Sequence, residues 1–211
     1  MALEATHIRF ALDLKDLYRV TETEKYLAGT IYPDSRFITG IDRKITHPTN
    51  GIDESLVMSD DFRKGWFTHL LCDKIHADVL MREFSELFLD ITDTDERWIR
   101  QTALKILTDM NDVTKFDIEM YLPLLDYVEN PCSEERGKIS EFNEIFQTMY
   151  SNIPAISIES YYEMWGKLKI EKALAVKVKE TTESYKNMSH IMKHIPDIYT
   201  EMLARATQLL V

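Results

Sequence analysis

The chain has 211 residues, 45% of them hydrophobic, a composition typical of a globular protein rather than a disordered one. Its formal net charge is −11, from 25 basic and 36 acidic side chains, and such a surface disfavours binding to nucleic acid. No stretch approaches the roughly 20 apolar residues that span a bilayer, so we expect no stable membrane insertion. The first residues lack a basic segment followed by an apolar core, which favours a cytoplasmic protein with its two cysteines reduced.

Apolar residues recur with the period of a helix along most of the chain, and only six glycines and six prolines interrupt them. The pattern predicts an all-α fold, a single domain over residues 1–211 built as a bundle of about seven helices. The first two helices are expected at about 3–19 and 22–29, and a long loop follows at about 30–59. Ser59 is the expected N-cap of the central helix. Later helices are predicted at about 94–110, 111–128 and 140–150, and the stretch at about 157–210 is expected to be helical with a break or kink near Pro196.

The predicted loop at about 30–59 carries two residues that favour a functional role. Long segments without regular structure inside a compact domain are usually functional or disordered. Asp34 directly follows Pro33, and His47 directly precedes Pro48. Each also has an ordinary interpretation, since Asp34 would stabilise a turn and His47 would be an exposed loop residue.

His69 and Asp73 lie four residues apart in the predicted central helix. This spacing places both side chains on one face, where an imidazole and a carboxylate can bind the same metal ion. The apolar neighbours of Asp73 predict that it is buried, and a buried carboxylate needs a partner. The alternative is an ion pair between Asp73 and one of the nearby basic residues, Arg63, Lys64 or Lys74.

The other four histidines are candidates of different kinds. His7 lies on an apolar helix face and is either a ligand or a hydrogen-bonded core residue. His76 follows His69 by two turns and is interpreted either as a residue that supports a metal ligand or binds a second metal, or as a solvent-exposed residue. His190 and His194 also have a spacing of four, which suits zinc but equally suits a polar helix edge before Pro196.

The order of these residues (a histidine, Pro-Asp, a histidine and HxxxD) resembles the zinc-dependent phospholipase C family and the related zinc-dependent single-strand nucleases. The segments that carry the resemblance are YLAGTIYPDSRF and KGWFTHLLCDKIH, and the match covers roughly residues 1–80. It implies that one zinc ion is held by Asp34, His47, His69 and Asp73. It further implies that His7 binds another zinc, with Asp73 bridging.

The chain departs from this family at two points. It begins Met1-Ala2-Leu3, whereas the secreted enzymes use a mature N-terminal tryptophan whose amine binds metal. The family's remaining zinc uses a later histidine and an HxxxE or HxxxD pair, for which this sequence offers only His76, His190 and His194 as candidates. We therefore expect one or two zinc ions, with manganese or iron as alternatives. The helical HD-domain phosphohydrolases are a weaker match, because the sequence contains no His-Asp dipeptide.

These observations predict a metal-dependent hydrolase that acts on phosphoric esters, with a small phosphate ester or a lipid headgroup as its substrate. In this interpretation Asp34 orients or deprotonates the attacking water, and Arg36 clamps a phosphate oxygen. One alternative is a non-catalytic helical protein whose metal is structural. Another is an interaction module that docks a partner on an aromatic stripe of Tyr161, Tyr162, Trp165 and Leu168, which would otherwise pack in the core.

Overall fold

The computed structural model describes residues 3–48 and 60–210, and this part of the chain is helical with no β-strand. The prediction of an all-α fold is therefore confirmed. Eight of the helices have nine residues or more, and two are single turns. In chain order they are α1 Glu4–Leu14, α2 Thr23–Ile31, α3 Arg36–Thr39, α4 Arg43–Thr46, α5 Asp61–Glu83, α6 Thr94–Asp112, α7 Arg136–Tyr150, α8 Ile158–Lys167, α9 Lys172–Lys186 and α10 Ser189–Leu210.

The predicted loop at about 30–59 was wrong over much of its described part. A 3-10 turn, Tyr32–Ser35, directly follows α2 and leads into α3, and α4 comes three residues later. Pro33 is compatible with this turn because the first helical positions need no backbone N–H donor. Gly40 ends α3 with a φ of 79°, a conformation that glycine adopts without steric cost. The rest of the predicted loop, and the proposed N-cap Ser59, lie outside the described residues; Asp60 caps α5 by accepting from the N–H of Phe62.

Three other predicted boundaries also need correction. The helix expected at about 111–128 is absent, because α6 continues to Asp112 and the chain then forms two 3-10 turns, Ile118–Met120 and Leu122–Asp126. The first helix ends at Leu14 instead of continuing to about residue 19. The stretch expected to be helical at about 157–210 forms three helices, α8, α9 and α10, and α10 continues through Pro196 without a break there.

Helices α2 and α5 cross at two glycines, where their backbones touch. A Cβ atom on Gly29 would lie 2.0 Å from the carbonyl oxygen of Phe62, and one on Gly65 would lie 2.0 Å from that of Tyr26. Only glycine permits such an approach. The crossing brings the end of α2 and the turn after it against the first turns of α5, from Phe62 to His69.

The aromatic stripe of α8 belongs to the core. Tyr161, Trp165 and Leu168 are almost completely buried, and Tyr162 is partly buried against the same core. The ordinary interpretation of this stripe is therefore confirmed, and these buried side chains offer no docking surface. Among the described residues, none of the helices is both long and apolar enough to cross a membrane.

Candidate metal centre

The five predicted ligands come from separate elements that meet in the interior. His7 lies in the first turn of α1, Asp34 in the 3-10 turn after α2, and His47 directly after α4. His69 and Asp73 lie one turn apart on α5. Four of these side chains are buried, and Asp73 is 18% exposed. Residues distant in sequence thus form one cluster.

The donor atoms of this cluster have spacings that suit a single metal ion. The Nε2 atoms of His47 and His69 are 3.1 Å apart, and Asp34 Oδ1 is 3.8 Å from His47 Nε2. Asp73 Oδ2 lies 3.7 Å from His47 Nε2 and 3.8 Å from His69 Nε2. Two donors bound tetrahedrally to zinc at about 2.0–2.2 Å lie about 3.3–3.6 Å apart. These four distances fall around this range, so the donor pairs that they join are spaced as around a zinc-sized ion.

His7 adjoins the same cluster on the side of Asp73. Its ring stacks on that of His69, with 4.3 Å between centroids and 10° between planes. Its Nε2 atom is 3.8 Å from Asp73 Oδ1 and makes no hydrogen bond to the described residues. His7, His69 and Asp73 form a second group whose ligand atoms lie within 4.8 Å of one another, and this group shares His69 with the set of Asp34, His47 and His69.

Backbone carbonyls fix the tautomers of two of the histidines. His69 Nδ1 lies 2.8 Å from the Thr30 oxygen, and His7 Nδ1 lies 3.1 Å from the Leu3 oxygen. A carbonyl oxygen only accepts hydrogen bonds, so Nδ1 is the donor in both rings. In the neutral form each Nε2 therefore carries a lone pair. Metal-binding histidines commonly have this arrangement, because it orients the ring and makes the ligating nitrogen more basic.

The environment keeps the imidazoles neutral, the form that binds metal. Burial lowers the pKa of His47 to about 4. The pKa of His69 is held well below its ordinary value, first by burial and then by the neighbouring His7. Burial also lowers the pKa of His7.

The two carboxylates are kept ionised despite burial. Burial alone would raise the pKa of Asp34, but its electrostatic interactions, including those with His69 and His47, hold the pKa below the ordinary value. Burial likewise opposes ionisation of Asp73, and the ammonium of Lys105 holds its pKa well below the ordinary value. Neutral imidazoles and ionised carboxylates are what a divalent cation requires.

No family model, curated protein or solved structure matches this chain. The interpretation of the cluster therefore depends on its own geometry and charge. Its chemistry is that of a mixed nitrogen and oxygen site, which suits zinc and, less specifically, manganese or iron.

Some of the predicted site residues lie outside the cluster. His190 and His194 are exposed on α10, because Ile191 and Ile195 occupy its buried face. His190 Nε2 is 3.9 Å from a carboxylate oxygen of Glu86. Glu86 lies beyond the end of α5, 13 residues after Asp73 in the sequence. Of the two interpretations of this pair, the structure bears out the polar helix edge and contradicts the alternative in which His190 and His194 join the site.

His76 and Arg36 lie near the cluster without belonging to either candidate group. His76 is 1% exposed, and its Nε2 atom has no hydrogen-bond partner among the described residues. Burial, followed by the charge of Lys105, holds its pKa well below the ordinary value. Arg36 Nε lies 3.8 Å from Asp34 Oδ1, and its guanidinium stacks on Phe37.

Sequence reasoning missed Lys105 and Glu4. Lys105 Nζ lies 2.5 Å from Asp73 Oδ1, across 32 residues of sequence. Glu4 is completely buried, and burial, followed by the charge of Asp34, raises its pKa well above the usual value. A partial signal for Glu4 existed, because it precedes His7 by three residues and therefore shares its helix face. Nothing in the sequence pairs Lys105 with Asp73.

A cleft of about 680 Å³ opens beside the cluster. His47 and Asp73 lie on its wall, so the cluster borders open space on this side. Three of the lining side chains are basic, namely Arg43, Lys74 and Lys105. Its apolar wall is formed by Pro48, Phe67, Leu70, Leu71 and Trp98. A ligand with an anionic group and an apolar portion would match this lining.

Proposed function

We propose that this protein is a metal-dependent hydrolase of phosphoric esters. The observation that carries the proposal is the clustering of donor atoms: those of Asp34, His47 and His69 lie within 4.8 Å of one another, and Asp73 Oδ2 lies 3.7 and 3.8 Å from the Nε2 atoms of His47 and His69. The order of these residues, which resembles that of the zinc-dependent phospholipase C family, independently supports it. Zinc is the proposed metal, with manganese or iron as alternatives.

The four residues have distinct positions in the proposed site. Asp34 and His69 are completely buried and would hold the ion from the protein side. His47 and Asp73 would hold it on the side of the cleft. A bound divalent ion would act as a Lewis acid toward a phosphoryl oxygen and lower the pKa of a coordinated water molecule. The burial of Asp34 favours a role as ligand over one as the base that contacts that water.

The cleft supports catalysis over a purely structural metal. Four protein ligands alone are typical of a structural zinc site, so catalysis at this centre requires a further coordination position for water, and the cleft beside His47 and Asp73 offers the space for it. The volume of about 680 Å³ lies within the range of small-molecule sites. Its basic lining suits the phosphoryl group of a small phosphate ester or a lipid headgroup, while the overall charge of −11 disfavours a polyanionic substrate.

The test combines metal content with turnover. Wild-type protein is expected to retain zinc after gel filtration, measured by elemental analysis, and to hydrolyse bis(p-nitrophenyl) phosphate when supplied with zinc or manganese. Asp34→Ala and His69→Ala should each lose both properties. His190→Ala is the matched control, because it removes an exposed imidazole outside the cluster.

Two results would decide against the proposal. Full retention of zinc by either variant would refute the ligand assignment. An inactive wild-type protein whose melting temperature falls strongly on chelation would instead favour a structural metal.

A further inference from the structure

Lys105 places a cation directly against the proposed ligands. Its Nζ lies 2.5 Å from Asp73 Oδ1, and its side chain is only 12% exposed. It also lines the cleft, as the last member of a row on α6 that includes Trp98, Gln101 and Thr102. Their spacing of three and four residues places them on one helix face. Lys105 therefore contacts both a proposed ligand and the space in which a substrate would lie.

The two oxygens of Asp73 have different partners. Oδ2 faces the Nε2 atoms of His47 and His69, while Oδ1 is bonded to Lys105. A second ion beside His7 would have to displace Lys105 from Oδ1. It would also compete for His69 Nε2, which has a single lone pair. An ammonium and a metal ion only a few ångströms apart repel each other strongly in a buried site.

We propose that Lys105 takes the place of a second metal ion: it limits the site to one ion and binds the anionic oxygen of a phosphoryl group in the cleft. This inference rests on the proposed function. The two negative charges of Asp34 and Asp73 are balanced by one divalent ion. The positive charge of Lys105 then remains available to an anionic substrate. Lysine suits this role because it binds phosphate as a compact point charge.

The first measurement is zinc stoichiometry. Protein stripped with a chelator, reloaded with zinc and passed through a desalting column should contain one zinc ion per chain by elemental analysis. Lys105→Met and Lys105→Gln should each keep at least one ion, because removing a positive charge does not weaken the binding of a cation. Thermal melts followed by circular dichroism would establish that both variants fold. The glutamine variant keeps a hydrogen-bond donor for Asp73 if the methionine variant does not fold.

The second measurement is the affinity of the zinc-loaded protein for inorganic phosphate, by calorimetry. Both neutral variants should bind phosphate roughly 10- to 100-fold more weakly than wild type, since a charge-assisted hydrogen bond is lost. Lys105→Arg should recover most of the affinity, because it keeps the charge. The matched control is Lys138→Met, which removes an exposed lysine of α7 and should leave the affinity within about twofold.

Several outcomes would overturn this inference. Two zinc ions in wild type would show that Lys105 does not exclude the second ion. Unchanged phosphate affinity in a folded, zinc-loaded neutral variant would show that Lys105 does not bind the anion, and loss of zinc from both neutral variants would assign it a structural role. In each case, hydrolysis of bis(p-nitrophenyl) phosphate by wild type would leave the proposed function intact. A wild-type protein that binds no zinc would refute both proposals.

Discussion

The imidazoles of His7 and His69 stack almost in parallel, 4.3 Å apart, although one lies on α1 and the other on α5. Each ring is oriented by its own backbone carbonyl, Leu3 for the first and Thr30 for the second. The stack therefore joins two helices and fixes the direction of both Nε2 atoms. In a site that holds one ion, His69 binds the metal and His7 does not, because only His69 belongs to the proposed set of four ligands.

Replacing either stacked histidine with phenylalanine is expected to separate these roles. His7→Phe keeps an aromatic ring against His69 and should retain one zinc ion per chain. His69→Phe removes a ligand and should lose the ion. Elemental analysis of both desalted variants provides the comparison. Loss of zinc from a folded His7→Phe protein would make His7 an essential ligand instead.

Because α2 and α5 touch at their crossing, adding one methyl group there should lower the stability of the fold. Gly65→Ala would place a Cβ atom 2.0 Å from the carbonyl oxygen of Tyr26, so the helices must separate. We expect a loss of unfolding free energy of about 1–3 kcal/mol or more, the range for overpacked cores. The control is Gly166→Ala on α8, where a Cβ meets no atom within 4 Å. Denaturant melts of equal or greater stability for Gly65→Ala would contradict the close approach.

Asp112 predicts a specific pH dependence of stability. Burial raises its pKa to about 7, partly opposed by the charge of Arg9. Between the ordinary value near 4 and about 7, the folded state binds more protons than the unfolded state, so stability falls as the pH rises. Asp112→Asn cannot titrate and should lose less stability than wild type between pH 4 and 7. Denaturant melts across this range measure the difference, and parallel curves for the two proteins would show that Asp112 has no raised pKa.

Asp109 depends on two tyrosines for its burial. Its Oδ2 accepts hydrogen bonds of 2.7 Å from the hydroxyls of Tyr150 and Tyr161, and Oδ1 accepts one from the Thr6 N–H. Removing one hydroxyl weakens the compensation for a buried carboxyl. Tyr150→Phe and Tyr161→Phe should each lower the free energy of unfolding by about 1–3 kcal/mol. Tyr162→Phe, a partly buried neighbour on the same helix, is the control for chemical melts and should lie within about 0.5 kcal/mol of wild type.

The helical fold and the pairing of His69 with Asp73 could be predicted because each depends on local spacing, whereas the expectation that His7, Asp34 and His47 join them came from the resemblance in residue order. His69 and Asp73 share a face by helix geometry alone. The contact of Lys105 with Asp73 could not be predicted, because it depends on how α6 packs against α5 and no pattern links residues 32 positions apart. The exposure of His190 could not be decided from its spacing either. Its spacing from His194 is suggestive, but the isoleucines beside them determine which face of α10 is buried.

The glycine crossing also connects the fold to the chemistry. Gly65 lies one turn before His69, and Gly29 directly precedes Thr30, whose carbonyl oxygen accepts from the His69 ring. Any change in the separation of α2 and α5 should therefore move the Nε2 atom of His69, the proposed ligand. Across a series of substitutions at this crossing, heat resistance and zinc affinity should decline together. Substitutions of Trp98 or Gln101, on the opposite wall of the cleft, should instead alter ligand preference without that shared decline.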